Sequence, residues 1–206
     1  MAQVPNNMTE NPIKIYAAQF AQKDPLRLSA RSGIPYDEKA QAFSLTLLGD
    51  KVQVFWPSME ARNVAANEAV DDKSRILCGR ILLDGSLVPA MGKFLSYEEI
   101  PNGEQYYEPF HGRCIMRLAY MFRSTGQFAA ACEKLGGHRV SSTADAAYEF
   151  DFLDGLLIRL LYWEADDEFG PNAQFMFSDN FLLAFTSDDI ACAGDIILSA
   201  LKACRA

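Results

Sequence analysis

The stretch from Leu156 to Trp163 (LLIRLLYW) constrains this chain more than any other, because only Arg159 interrupts its apolar character. It falls far short of the ~20 apolar residues of a membrane-spanning helix and matches the length of a strand. A strand apolar on both faces predicts a central position in a sheet. Its neighbours read the same way. Tyr148, Phe150 and Phe152 alternate with Glu149 and Asp151, and Asp154-Gly155 offers the turn. After an acidic loop, Ala173 to Phe177 reads as a further strand. Earlier in the chain, Phe43, Leu45 and Leu47 alternate with Ser44 and Thr46, and Val52, Val54 and Trp56 with Gln53. Gly49-Asp50 between them predicts a β-hairpin over 42–56 with one buried face. Residues 92–100 read as a strand, and 60–72 have no clear period.

The remaining periodic segments are helical. Ile13, Tyr16, Ala17, Phe20 and Ala21 make one apolar face. Asp24 as cap, Pro25 at the first helical position and Gly33 as a left-handed stop bound a short second helix. Ser74 to Leu83 reads as a buried helix ended by Asp84-Gly85, and Arg113 to Phe122 as another. Ser124-Thr125 opens a helix that runs to Leu135 and stops at Gly136-Gly137. Ser187 starts the closing helix, with Asp188 and Asp189 at its positive end, Lys202 and Arg205 at its negative end, and Ile190, Ile197, Leu201 and Cys204 on its apolar face. Residues 104–110 (EQYYEPF) read as an aromatic, acidic loop. Runs of strands and runs of helices, without strict alternation, predict an α+β fold: a mainly antiparallel sheet packed by helices. Residues 1–11 read as a disordered polar tail and 12–206 as a single domain.

Composition narrows the partners. The chain of 206 residues carries 19 Lys+Arg against 27 Asp+Glu, a net charge of −8 without a basic cluster in the sequence. Phosphate backbones and anionic membranes favour clustered cations, so nucleic acid and membrane are not expected partners. No basic segment followed by an apolar one opens the chain, so no secretory leader is read and a cytoplasmic location is expected. Five cysteines at wide, irregular spacings do not make a disulfide framework, and no C-x-x-C is present. His111 and Cys114 form an H-x-x-C pair, but two histidines in the whole chain leave the rest of a metal site to residues such as Cys132 or His138. A core cysteine beside a loop histidine is the simpler reading, and no metal is assigned. No P-loop, G-x-S-x-G or H-E-x-x-H is present.

The chemistry concentrates in Tyr162–Pro171 (YWEADDEFGP), where Glu164, Asp166, Asp167 and Glu168 follow Trp163 and precede Phe169. In an extended stretch Glu164, Asp166 and Glu168 share one side. Close carboxylates repel one another unless a positive partner is present, so the segment reads either as a ligand-contacting loop or as a solvated hairpin tip. Tyr107 and Phe110, from the aromatic stretch, are candidate neighbours of Trp163, Glu164, Asp166, Glu168 and Phe169.

Taken together, Asp24-Pro25, Arg31-Ser32-Gly33, Tyr36-Asp37, Phe43 and Leu45 before Gly49, Phe94, Tyr97, Tyr107, Phe110, Leu135-Gly136-Gly137, Asp145 to Tyr148, the W-E-x-D-x-E-F segment, Phe177 and Asp179 form a pattern. It resembles a domain-of-unknown-function family, number thirty-seven eighty-six, of anaerobic bacteria and archaea. The resemblance covers nearly the whole chain after the tail, and the W-E-x-D-x-E-F segment is its most specific part. It implies an accessory domain linked to corrinoid or iron–sulfur cofactor metabolism, since some relatives adjoin a cysteine-rich iron–sulfur segment that this chain lacks. One departure stands out: Gly170 comes between Phe169 and Pro171, where the family has proline directly after the phenylalanine.

The expectation is therefore a binding or accessory domain with a small-molecule or protein partner, acting through the acidic–aromatic loop. Two alternatives accompany it: an enzyme using paired carboxylates for acid–base or metal-assisted hydrolysis, and a structural or oligomerising module with exposed Trp56 or Phe181.

Overall fold

The computed structural model describes residues 11–205. The tail expected over 1–11 lies outside them except for Asn11, whose side chain caps the first helix by accepting from the Ile13 N–H at 3.0 Å. The elements follow in order as α1 (Pro12–Ala21), α2 (Pro25–Ser32), β1 (Tyr36–Asp37), β2 (Ala42–Leu47), β3 (Asp50–Phe55), β4 (Glu60–Asn63), β5 (Glu68–Ala69) and α3 (Asp72–Leu83). Then come β6 (Phe94–Ser96), a 3₁₀ turn (Tyr97–Glu99), α4 (Gly103–Phe110), a π-helical turn (His111–Ile115), α5 (Met116–Ala119) and α6 (Thr125–Lys134). The last part holds β7 (His138–Arg139), β8 (Ala146–Leu153), β9 (Leu156–Trp163), β10 (Asn172–Ser178), α7 (Phe181–Ala184) and α8 (Ser187–Cys204).

The fold is α+β, with one ten-stranded sheet in the order β5-β4-β3-β2-β8-β9-β10-β6, β1 added to β2 and β7 to β8. Every pairing is antiparallel. The sheet is two ribbons joined at a narrow seam. Between β2 and β8 only Leu47 and Leu153 are in register, reinforced by the Leu48 N–H donating to the Phe152 carbonyl at 2.9 Å and the Thr46 N–H donating to Asp154 Oδ2 at 3.1 Å. Elsewhere β2 and β8 splay, each capped by its own short strand.

Local signals explain most boundaries. Asp24 Oδ1 accepts from the Leu26 and Arg27 N–H groups, Pro25 opens α2, and Gly33 ends it at φ 79°, a conformation that costs glycine little. The β2–β3 hairpin forms as its alternation predicts, but its two turn residues are Leu48 and Gly49, at φ 48° and 85°, and Asp50 already belongs to β3. This is the positive-φ pair of a primed hairpin turn.

The helices cover one face of the sheet. Tyr148, Phe150, Phe152, Ile158, Leu160, Tyr162, Phe175 and Phe177 point into that core and are buried. Phe128 stacks on Tyr162 at 5.0 Å and meets Tyr148 edge-on, while Phe110 stacks on Tyr97 at 3.9 Å and meets Phe175 edge-on. β9 is central, but only one face is closed: its residues alternate between buried and half-buried along the whole strand. On the open face Arg159 pairs with Glu149 at 2.6 Å and lies over the Phe94 ring.

Four expectations are corrected, the first being the strand read over 92–100, which is strand only at Phe94–Ser96 before the 3₁₀ turn Tyr97–Glu99. Residues 104–110 are the helix α4, with Pro109 inside its last turn. Proline removes a backbone donor there, and the helix widens at once into the π-helical turn His111–Ile115. The helix read over Arg113 to Phe122 is therefore that turn followed by α5, which ends at Ala119. Residues 60–72, which lacked a clear period, supply β4, β5 and the first residue of α3. Phe181 is fully buried, and Trp56 is half-buried with its indole N–H donating to the Lys23 carbonyl at 3.1 Å, so neither is an exposed interface aromatic.

Candidate functional site

β9 ends at Trp163, β10 begins at Asn172, and the two residues pair in the ladder. The acidic segment between them is exposed from Glu164 to Gly170, but it is built rather than splayed. Asp166 Oδ1 accepts from the Glu168 N–H at 2.8 Å and the Phe169 N–H at 2.7 Å, and the Asp166 N–H donates to the Phe169 carbonyl at 2.9 Å. Those N–H donors hold the Asp166 carboxyl below the usual aspartate value. Glu164 Oε2 reaches across to the first residue of α6 and accepts from the Thr125 N–H at 2.7 Å, where the unpaired donors of a helix start favour an anion. The Glu164 N–H in turn donates to Asp145 Oδ2 at 2.8 Å. Each of these three carboxylates is held through one oxygen, and the second oxygen of each has no hydrogen bond from the described residues.

Two concavities meet at this point, and Trp163 and Asn172 line both. The outer one, about 610 Å³, is bounded by Tyr120, Asp145, Glu164, Asp166, Phe169 and Pro171. The inner one, about 320 Å³, is bounded by Tyr97, Glu98, Tyr107, His111 and Gln174. The inner concavity exists because β6 pairs with β10 only at Met176–Ser178, then turns away through the 3₁₀ turn into α4. The outer edge of β10 from Asn172 to Phe175 is left without β6 and is faced by Tyr107 and His111. Burial, then nearby Glu98, raises the Tyr107 phenol, and burial, then nearby Asp188, pushes Tyr97 up to about 12, so both rings stay neutral donors.

The sequence-predicted residues distribute as follows. Trp163 is half-buried at the junction, Glu164, Asp166 and Phe169 line the outer concavity, and Tyr107 lines the inner one. Phe169 is 70% exposed, a large ring left open to solvent beside Tyr120 at 65%. Glu168 is exposed on the loop and contributes its N–H to the Asp166 turn. Phe110 is a core residue beneath Tyr97, 1% exposed. Sequence reasoning did not single out Tyr120, Asn172 and Gln174 for this region. Tyr120 was legible only as a tyrosine beside a helix end, and Asn172 and Gln174 as the polar residues of an otherwise apolar strand.

The chemistry available is anionic and aromatic. Four carboxylates (Glu98, Asp145, Glu164, Asp166) and six large rings (Tyr97, Tyr107, Tyr120, Trp163, Phe169, Phe175) border the two concavities, with His111 the sole titratable base among their lining residues. Among the described residues, no group of three or more His, Cys, Asp or Glu side chains comes together as a metal site. The cysteines are free; Cys78, Cys114 and Cys132 are buried, and burial pushes the Cys78 and Cys114 thiols up to about 12. These dispersed thiols do not fit an iron–sulfur cluster. No helix among the described residues is long and apolar enough to cross a membrane.

No curated protein and no solved structure gives a significant match to the chain. A family model does match, over residues 24–200, and it spans every part of the cleft just described. The chain belongs to the family of the domain of unknown function DUF3786.

Proposed function

We propose that this is a binding domain whose cleft at the β9–β10 turn takes a small organic cation with an apolar or aromatic body. The observation that carries the reading is Trp163, shared by both concavities and bordered by carboxylates that the backbone holds in place through one oxygen each. A diffuse positive charge is attracted to indole and phenol faces and is neutralised at a distance by carboxylates, without a tight ligand shell. A hard divalent cation demands converging oxygens, which this cleft does not present. The reading extends to an accessory role in corrinoid or iron–sulfur cofactor metabolism, which rests on the family resemblance, and to a cytoplasmic setting, which rests on the irregular spacing of unpaired cysteines. Because the chain's own thiols do not fit a cluster, an iron–sulfur centre would sit on a partner.

The paired-carboxylate enzyme needs one desolvated carboxyl to hold a proton near neutrality. Glu164, Asp166, Asp167 and Glu168 are all exposed, which favours the binding reading. The test is thermal melting with benzyltrimethylammonium, cobalamin, Mg²⁺, Ca²⁺ and Zn²⁺. Benzyltrimethylammonium raises the melting temperature of the wild type and not of Trp163→Ala. No rise in the wild type with that probe, or an equal rise in Trp163→Ala, overturns the proposal.

A further inference from the structure

Away from the cleft, the buried face of α8 carries a carboxylate. The Asp195 side chain is 5% exposed, and three cations converge on it. Lys73 Nζ of α3 is 2.8 Å from Oδ2, Arg113 Nε of the π-helical turn is 3.3 Å from the same oxygen, and Arg117 Nη1 of α5 is 3.5 Å from Oδ1. The Cys114 thiol also faces Oδ1, at 3.9 Å.

One cation neutralises a buried carboxylate; three leave an excess of two positive charges in a protein whose net charge is −8. Lys73, Arg113 and Arg117 make no second ion pair among the described residues, and the neighbouring Asp189 is engaged by Arg80 at 3.2 Å. The three side chains are about half exposed, at 55%, 48% and 46%. Only one guanidinium nitrogen of each arginine is used on Asp195: Nε of Arg113 and Nη1 of Arg117. Nε and Nη2 of Arg117 have no hydrogen-bond acceptor among the described residues, and beyond Asp195 the Arg113 guanidinium faces the Cys114 thiol, a weak acceptor. Arginine forks with free donors, pre-organised by a buried counter-charge, are suited to planar or tetrahedral oxyanions. The widened turn His111–Ile115 carries Arg113 to α8 on the same run of chain that brings His111 to the cleft.

We infer that Lys73, Arg113 and Arg117, gathered by Asp195, form a second binding site, for a dianionic oxyanion of the phosphate or phosphomonoester class. Asp195 is a positioning residue in this site, and the three cations are the contacts.

The experiment is thermal melting of the full chain with inorganic phosphate, glycerol 3-phosphate and, at matched ionic strength, chloride. At about ten times the dissociation constant, a bound anion raises the melting temperature by roughly 3–6 °C over the chloride control. Arg113→Gln and Arg117→Gln lose that increment when each is compared with its own chloride baseline, while Trp163→Ala keeps it. Lys73 still neutralises Asp195 in both arginine variants; should either fail to fold by far-UV circular dichroism, Lys73→Gln gives the same readout. A greater shift with glycerol 3-phosphate assigns the site to an organic phosphate, and equal shifts assign it to the free ion. No increment over chloride in the wild type overturns the inference, as does an increment that survives in all three cation variants.

Discussion

Removing one oxygen from the core, by Tyr162→Phe, tests how the cleft is braced. The Tyr162 ring is 1% exposed, stacked on Phe128 at 5.0 Å and edge-on to Phe122 at 6.4 Å, and all of that packing survives the substitution. What is lost is the hydroxyl that donates to the Phe122 carbonyl at 3.0 Å. Burial, followed by the nearby Glu164 charge, raises this phenol, so it remains a donor at neutral pH. A buried acceptor stripped of its partner costs ~1–3 kcal/mol, and the phenylalanine recovers a little by burying no polar atom. A net loss of about 1–2 kcal/mol is therefore expected, which for a domain of this size lowers the melting temperature by roughly 2–8 °C. Urea denaturation should show a lower midpoint with an unchanged slope, since the surface exposed on unfolding is the same. Tyr148→Phe is the internal control: its hydroxyl donates at 2.8 Å to Glu133, an exposed residue whose carboxylate water can solvate in its place, and its cost should stay below about 1 kcal/mol. Equal costs for the two variants, or a Tyr162→Phe effect below ~0.3 kcal/mol, would refute the claim that this hydrogen bond ties α5 and the Tyr120 wall to the sheet.

Other outcomes follow from the same geometry. Phe128→Ala empties a fully buried site between three rings and should cost ~3–5 kcal/mol by chemical denaturation. Gly103→Ala drives a Cβ into the Tyr97 carbonyl at the start of α4; a loss of about 1–3 kcal/mol is expected, and it should be accompanied by altered NMR shifts at Tyr107 and His111. The Asp166 turn has a pH signature: its carboxyl titrates below the ordinary 3.8 in the folded chain, so its contribution is present above the unfolded value and is lost as pH falls through the lower folded one. The Phe169 amide proton reports that midpoint by NMR. Because burial pushes the Cys78 and Cys114 thiols up to about 12 and Cys192 up to about 11, these three should resist Ellman's reagent at pH 8 until the protein is unfolded.

Much of this fold is written in short-range signals. Period two in 42–56 and 148–152 predicts strands because one face is buried and the other wetter, and Asp24-Pro25 with Gly33 bounds α2 because capping and positive φ are local requirements. The misreadings have tertiary causes. Glu104–Phe110 reads as a loop because it holds a proline and little apolar periodicity, yet Phe110 and Tyr97 stack and pull it into a helix. β4 and β5 have too few residues to show a period and exist through pairing with β3. In the cleft, the acidic–aromatic loop is legible because its residues are consecutive. Tyr120 and Asp145 are not, since they are brought to it by chain reversal alone. The cluster around Asp195 is less legible still: its members come from α3, the π-helical turn, α5 and α8, and no spacing links Lys73 to Asp195.

Tryptophan fluorescence gives the most direct test of the cleft. With Trp56 replaced by phenylalanine, Trp163 is the chain's remaining indole and reports from the junction of the two concavities. Titration with benzyltrimethylammonium should change its emission along a saturable curve, weakened when Glu164 is changed to Gln, while benzoate at the same ionic strength should leave it unchanged. A linear, unsaturable response, or one that benzoate reproduces, would contradict the assignment of this cleft as a binding site for organic cations.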